Sequence, residues 1–64
     1  MVEYLFKYIK VKCVDGQIIT GQVVGFENDF ETDSGEDEIT IQQDGVDYEL
    51  TLEKSEIAEI KLIA

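Results

Sequence analysis

The 64-residue chain lacks histidine, arginine, tryptophan and proline, and it has a single cysteine, Cys13. One cysteine cannot form an internal disulfide. Without histidine or a second cysteine, the chain also lacks the side chains that most often bind transition metals in proteins. We therefore expect no disulfide framework, no metal site and no other cofactor.

The chain is also too short for a large hydrophobic core. A domain of roughly 60 residues buries only about 60% of the surface that its unfolded chain exposes. Natural domains of this size usually gain stability from disulfides, a metal or self-association. Because the composition disfavours the first two, the sequence predicts one domain over residues 1–64 that forms a homo-oligomer.

Positive charge is scarce, since five lysines face fifteen acidic residues and the net charge is −10. Lys7, Lys10 and Lys12 lie near the start, and Lys54 is the only positive residue between positions 27 and 59. Such a surface repels nucleic acid phosphates and anionic lipids. We interpret the acidity either as a means of solubility or as a face that binds a basic protein partner.

Long apolar runs are missing as well. No segment approaches the roughly 20 apolar residues that a membrane-spanning helix requires. Residues 1–14 are interrupted by Glu3 and three lysines, which is atypical of a signal peptide. The sequence therefore predicts a cytoplasmic protein without a membrane segment.

The apolar residues that are present begin at a helical spacing and then alternate. The helical positions are Val2, Leu5, Phe6 and Ile9. This spacing predicts a short amphipathic helix of two turns. From Ile9 the period becomes two, with Ile9, Val11 and Cys13 on one face, which predicts a half-buried strand.

A turn at residues 15–16 predicts the first hairpin, and two loop lengths are compatible with it. A two-residue loop would pair Val11 with Thr20. A three-residue loop over residues 14–16 pairs Val11 with Ile19 instead. We favour the longer loop because it keeps apolar residues on one face and places glycine at a left-handed position.

The second strand, residues 17–26, contains Gly21 and Gly25. Glycine weakens a strand, so two glycines four residues apart predict a bend or a close backbone approach, as at a barrel corner. Residues 28–38 follow as an acidic connection, which we expect to be exposed and mobile.

A turn at residues 44–45 predicts the second hairpin, with a two-residue loop. That loop pairs Ile41 with Tyr48 and Ile39 with Leu50, so that apolar side chains meet on one face.

Residues 57–63 supply the last predicted strand. Its apolar side consists of Ala58, Ile60 and Leu62. Five short strands, of which the second is bent, predict a mainly β fold: a five-stranded, bent small barrel of the SH3-like kind, preceded by a short helix.

Residues 16–27 are similar to the first Sm motif, in which glycines and apolar residues lead to a Gly-Phe-acid ending. The corresponding positions are Gly16, Gly21, Gly25, Phe26 and Glu27. Glutamate stands here where the family usually has aspartate. The order of predicted elements also matches, so residues 2–63 resemble a divergent, bacterial-type member of the Sm-like (LSm) family.

This resemblance implies assembly into rings, in which the fourth strand of one subunit pairs with the fifth strand of the next. The corresponding edge strands are residues 46–52 and 58–63. Their apolar residues, which we expect at subunit contacts, are Val46, Tyr48, Leu50, Ile60 and Leu62.

The resemblance also implies a nucleotide pocket, and its positions correspond to Phe30, Glu31 and Lys54. Phe30 could stack on a base or cap the open end of the barrel, and Lys54 could contact phosphate or remain solvated. Glu31 replaces the asparagine usual in the family, and Lys54 stands where the family has an Arg-Gly pair. The acidic charge and these replacements disfavour RNA.

The residues do not predict catalysis. Nearly all carboxylates occupy outer-face or loop positions, where burial does not raise a pKa for acid–base work. Cys13 has no neighbouring base in the sequence and fits a core position. We expect a non-catalytic, homo-oligomeric interaction module, with an RNA-binding protein or an acidic decoy of a nucleic-acid-binding protein as alternatives.

Overall fold

The computed structural model describes residues 1–63, in which alternating apolar residues build one antiparallel sheet. The strands are β1 (Tyr8–Cys13), β2 (Ile18–Glu27), β3 (Glu38–Gln43), β4 (Glu49–Glu53) and β5 (Ile57–Leu62), and the 3-10 helices are η1 (Val2–Tyr4) and η2 (Lys54–Glu56). The strand order is β4-β3-β2-β1-β5. The predicted mainly β fold with five strands is confirmed.

One face of this sheet forms the core. Its buried side chains are Ile9, Val11, Cys13, Ile19, Val23, Ile39, Ile41 and Leu52. In β1 the burial alternates strictly, as the period-two pattern predicted. Burying one such aliphatic side chain stabilises the fold by about 1.5–3 kcal/mol.

The amino-terminal segment is shorter than the predicted two-turn helix. Only one 3-10 turn forms, and it ends before Phe6, which has a left-handed φ of 65°. The Phe6 amide donates a 2.8 Å hydrogen bond to the Val23 carbonyl, and Ile9 lies in β1. Pairing with β2 replaces the second turn because a short helix is costly to nucleate in isolation. Within residues 1–63, no helix has the length and apolarity to cross a membrane.

The first hairpin has the predicted register. Val11 lies opposite Ile19, and the Cys13 amide donates a 2.8 Å hydrogen bond to the Gln17 carbonyl. Gly16 adopts a φ of 94°, a conformation that glycine reaches without steric cost. The three-residue loop is therefore confirmed.

The second hairpin differs from the predicted two-residue turn. Ile41 lies opposite Leu50 and Ile39 opposite Leu52, so the register is displaced by two residues and residues 44–48 connect the strands. An even displacement keeps every side chain on its predicted face. The strand β4 begins at Glu49, and so Val46 and Tyr48 precede it.

Asp44 explains the longer connection. Its amide donates a 2.9 Å hydrogen bond to the Thr20 carbonyl, which continues the pairing of β3 with β2. Its carboxylate accepts hydrogen bonds from the Tyr8 hydroxyl and, at 3.2 Å, from Thr20 Oγ1. These contacts hold Asp44 against β2 and β1, so the chain turns back only after it.

The two glycines of β2 act differently. At Gly21 the backbone of β3 approaches so closely that a Cβ atom would lie 2.2 Å from the Gln42 carbonyl oxygen. Near Gly25 the register against β3 shifts by one residue, which marks a β-bulge. The sequence predicted a bend or a close approach: the close approach is present at Gly21, and a bulge lies beside Gly25.

The last strand contains a bulge that the sequence pattern did not predict. Lys12 lies opposite Glu59, whereas Cys13 lies opposite Ile57, so Ala58 is the additional residue. Ile57 and Ile60 therefore both pack against the core, while Ala58 is exposed. Of the predicted apolar side of β5, Ile60 packs against the core but Ala58 does not.

Candidate functional site

The two edges of the sheet are open. β4 and β5 end the strand order, and within the described part of the chain each has a single neighbouring strand. An edge strand presents unpaired backbone N–H and C=O groups that can bind another strand. The two strands implied as subunit contacts thus lie at the two edges, although Val46 and Tyr48 lie in the connection before β4.

Apolar side chains accompany both edges. Leu50 of β4 and Ile60 of β5 are half-buried and pack against the core. Leu62 lies opposite the buried Ile9 yet remains 58% exposed, and Tyr48 is 61% exposed. Each edge therefore combines free backbone groups with apolar surface.

Phe30 lies on a turn in the connection between β2 and β3. The side-chain oxygen of Asn28 accepts a 3.1 Å hydrogen bond from the Phe30 amide. The backbone carbonyl of Asn28 accepts a 3.0 Å hydrogen bond from the Glu31 amide. The turn leaves Phe30 94% exposed. In this position the ring does not cap the core.

Lys54 lies on the short helix η2, where its amide donates a 2.9 Å hydrogen bond to the Asp37 carbonyl. Among residues 1–63, no hydrogen bond or ion pair joins Phe30, Glu31 and Lys54.

A row of carboxylates crosses one end of the sheet, and the sequence alone did not identify it. Glu27 lies opposite Glu38, and Glu38 lies opposite Glu53 on its other side. Glu36 is nearby, and its carboxylate accepts hydrogen bonds of 2.8 Å and 3.1 Å from the amide and hydroxyl of Ser55. We name Glu27, Glu38 and Glu53 the acidic row.

Desolvation and neighbouring carboxylates raise the pKa of Glu53. Partial desolvation raises its pKa above the ordinary value of 4.5, and the negative charges of Glu36, Glu56 and Glu38 raise it further. The ionised form of Glu53 therefore costs more in the folded protein than in the unfolded chain.

We expect Glu53→Gln to raise the thermal midpoint slightly at pH 7. A raised folded-state pKa means that the stability linked to protonation is complete below 4.5 and is lost as pH rises through the folded pKa. The variant should therefore match the wild type near pH 4 and exceed it at neutral pH. Circular dichroism melts between pH 4 and pH 7 measure the two thermal midpoints, and Glu31→Gln is the control variant. An equal rise of the midpoint at both pH values would contradict the prediction.

The outer face of β1 and β5 carries the opposite charge. An open depression of about 240 Å³ is lined by Lys10, Lys12, Ile18, Glu59 and Lys61. We name it the basic groove. It contains three of the five lysines, and it was not predicted because the pairing of β1 with β5 is what brings Lys61 beside Lys10.

Cys13 lies at the end of β1 and is buried. Desolvation raises the pKa of its thiol, and the negative charges of Asp15 and Glu56 raise it further. The thiol is therefore protonated at neutral pH and is a poor nucleophile. Across residues 1–63, no group of three or more cysteine or acidic side chains is arranged to hold a metal ion.

Comparisons of the chain with known protein families, curated proteins and solved structures found no significant match. The surfaces described above therefore supply the grounds for a functional proposal.

Proposed function

We propose that the protein is a non-catalytic, Sm-like interaction module that self-associates through the two open edges of its sheet. The observation that carries this proposal is the exposure of β4 and β5 at opposite ends of one five-stranded sheet. A β4 edge that pairs with a β5 edge leaves one free edge of each kind, so addition of subunits can continue.

The Sm-like part of the proposal is supported by the order and shape of the elements. A short helix, a strand, a long bulged strand, the hairpin of β3 and β4 and a short last strand follow one another. Gly21 and Gly25 lie inside the long strand, in the part of the chain that is similar to the first Sm motif. In this proposal the sheet bends toward a small barrel whose open seam, between β4 and β5, is the assembly surface.

Self-association would also compensate for the small hydrophobic core. Only eight hydrophobic residues are buried among the described residues. Edge pairing would cover the exposed Leu62 and the half-buried Leu50 and Ile60, and it would satisfy the free backbone groups. The buried, protonated thiol of Cys13 supports the non-catalytic part of the proposal.

RNA binding and the decoy role stay predictions. The net charge of −10 disfavours RNA binding, and the acidic row is a surface that a decoy of a nucleic-acid-binding protein would use.

We expect the wild-type chain to form a particle of several subunits and Leu62→Lys to convert it to a monomer. Leu62 is 58% exposed at the edge, so the monomer can accept lysine, whereas a charged side chain there opposes strand addition. Light scattering after size exclusion at physiological salt gives the absolute mass. That salt screens the repulsion between chains of net charge −10.

The matched control is Phe30→Lys, which also replaces an exposed apolar residue with lysine but lies on the connection between β2 and β3, outside both edge strands. It should keep the wild-type mass. A wild-type chain that remains a monomer at high concentration would rule out the proposal, and an unchanged mass for Leu62→Lys would exclude the β5 edge as the contact.

A further inference from the structure

We infer that the basic groove binds a compact polyphosphate anion, whose phosphate groups are held by Lys10, Lys12 and Lys61. This inference goes beyond the proposed self-association, because the groove is complete in one chain and lies on the outer face of the sheet. Pairing of β5 with a strand of another copy uses the backbone groups at the edge, so it leaves the outer face accessible. The two proposals therefore stand or fall separately.

Strand pairing gathers three lysines into one patch of the outer face. Lys10 and Lys12 are two residues apart on β1, so they share a face at a spacing of about 7 Å. Lys61 lies directly opposite Lys10 on β5, with about 5 Å between the two backbones. Lysine carries its charge on a flexible four-carbon stem, so the three ammonium groups can converge on one anion.

The folded chain leaves this positive charge largely uncompensated. The acidic residue that lines the groove is Glu59, which forms a 3.2 Å ion pair with Lys61. Three lysines against one glutamate leave a charge of +2. Like charges directly opposite one another in a sheet are destabilising, and an anion bound between Lys10 and Lys61 would remove that cost.

Lys10 in particular lacks a partner of opposite charge. Its neighbour on β2 is the neutral Thr20, and its neighbour on β5 is Lys61. In the part of the chain that the structure describes, Lys10 forms no ion pair. Asp44 lies beside Thr20, but its carboxylate already accepts hydrogen bonds from two hydroxyl groups. An incoming anion would therefore be the direct partner of Lys10.

The acidic row lies too far from the groove to cancel its charge. Thr20 lies opposite Lys10, and Glu27 follows seven residues later on β2, which is about 20 Å along the strand. Interactions between exposed charges are largely screened beyond about 8 Å at physiological ionic strength. The groove can therefore attract a small anion although the net charge of the protein is −10.

The residues that line the groove favour phosphate over carboxylate. Arginine is the residue that binds planar carboxylates through two parallel hydrogen bonds, and the chain has none. Lysine acts as a point charge with three donors, which suits the tetrahedral phosphate group. The groove has a volume of about 240 Å³, which suits a compact ligand. A strand of nucleic acid would continue onto the acidic surface and be repelled.

Two kinds of compound carry this chemistry, namely inorganic polyphosphates and nucleotides. Ile18 also lines the groove and is 51% exposed beside the lysines. A nucleoside attached to the phosphates would cover this apolar surface, whereas an inorganic chain would not. Tripolyphosphate and ATP differ in this part alone, so a comparison of their affinities distinguishes the two sources.

Isothermal titration calorimetry of the wild-type chain with tripolyphosphate and with ATP, at physiological salt, tests the site. We expect saturable binding with a dissociation constant of about 1 mM or less. Lys10→Gln and Lys61→Gln should each weaken the affinity by about fivefold, because each removes one charged contact to phosphate. Tighter binding of ATP would assign a nucleotide as the ligand, and equal or weaker binding would assign the inorganic chain.

Two controls separate the site from general effects of charge and salt. Lys7→Gln makes the same change in charge at an exposed lysine outside the groove, and it should keep the wild-type affinity. Sodium sulfate at the same ionic strength should bind much more weakly, because it presents a single tetrahedral group to the three lysines. Circular dichroism melts should show that all variants fold.

Three results would overturn the inference. The first is the absence of saturable binding of both polyphosphates to the wild type. The second is an affinity that does not change in either Lys10→Gln or Lys61→Gln, or that falls equally in Lys7→Gln. The third is equal binding of sulfate, which would mean that the groove does not select a polyphosphate. None of these results depends on whether the chain self-associates.

Discussion

Gly21→Ala is expected to leave the protein largely unfolded at room temperature. The added Cβ would lie 2.2 Å from the Gln42 carbonyl oxygen and 2.9 Å from both the Gln42 carbonyl carbon and the Gln43 Cα. All three are backbone atoms of β3, so a side chain cannot move aside to make room. Strands β2 and β3 would have to separate at the centre of the sheet.

The destabilisation expected for Gly21→Ala is a large part of the total stability of the protein. Overpacking that displaces backbone typically costs about 1–3 kcal/mol and occasionally more, and a contact of 2.2 Å with backbone atoms belongs at the upper end of that range. A chain of this length has roughly 3–10 kcal/mol of stability in all, at about 0.05–0.15 kcal/mol per residue. Loss of the β2–β3 contact would also remove the anchor of Asp44 on Thr20.

Gly25→Ala is the matched control because it makes the same change on the same strand. Its Cβ would meet Thr40 Cβ at 3.4 Å, which is ordinary van der Waals contact, and the cost should stay within about 1 kcal/mol. Urea unfolding followed by circular dichroism compares the two variants. Equal midpoints would show that the close approach at Gly21 does not constrain the sheet.

Local pattern predicted much of this fold because the determining interactions are close in the sequence. The alternation of Ile9, Val11 and Cys13 predicted the buried face of β1, and the position of Gly16 predicted the loop of the first hairpin. Two glycines in one strand predicted a bend or a close approach, and the close approach is present at Gly21. In each case the responsible residues lie within one or two neighbouring strands.

The second hairpin was predicted with the wrong register because that register depends on distant residues. A turn at residues 44–45 has the composition of a two-residue loop. In the folded chain, however, Asp44 is bound by Tyr8 and Thr20, which lie on two other strands. Tertiary hydrogen bonds outweigh the local preference, and the bulge at Ala58 in β5 likewise depends on β1.

The candidate surfaces depend on the same long-range pairing. The acidic row exists because β2, β3 and β4 place Glu27, Glu38 and Glu53 at one end of the sheet. The basic groove exists because β5 returns to pair with β1. The sequence showed lysines near the start and acidic residues later, but the strand order is what gathers them into a basic groove and an acidic row on the sheet.

Ile41→Ala is the second substitution for which we expect a large loss of stability. Ile41 lies on the central part of β3, is fully buried, and is opposite Val23 on one side and Leu50 on the other. Removal of its outer carbons leaves a cavity between three strands and should cost about 2–5 kcal/mol. That is a large part of the roughly 3–10 kcal/mol available, and the thermal midpoint should fall by at least about 10 °C.

Ile18→Ala provides the control, since it removes the same atoms from a side chain that is 51% exposed on the outer face of β2. Its cost should be about 1 kcal/mol or less. Differential scanning calorimetry at two protein concentrations adds a further test. If edge pairing stabilises the fold, the midpoint of Ile41→Ala should rise with concentration, because association withdraws folded chains from the unfolding equilibrium. A midpoint independent of concentration, for this variant and for the wild type, would mean that the eight buried residues hold the fold without a second copy.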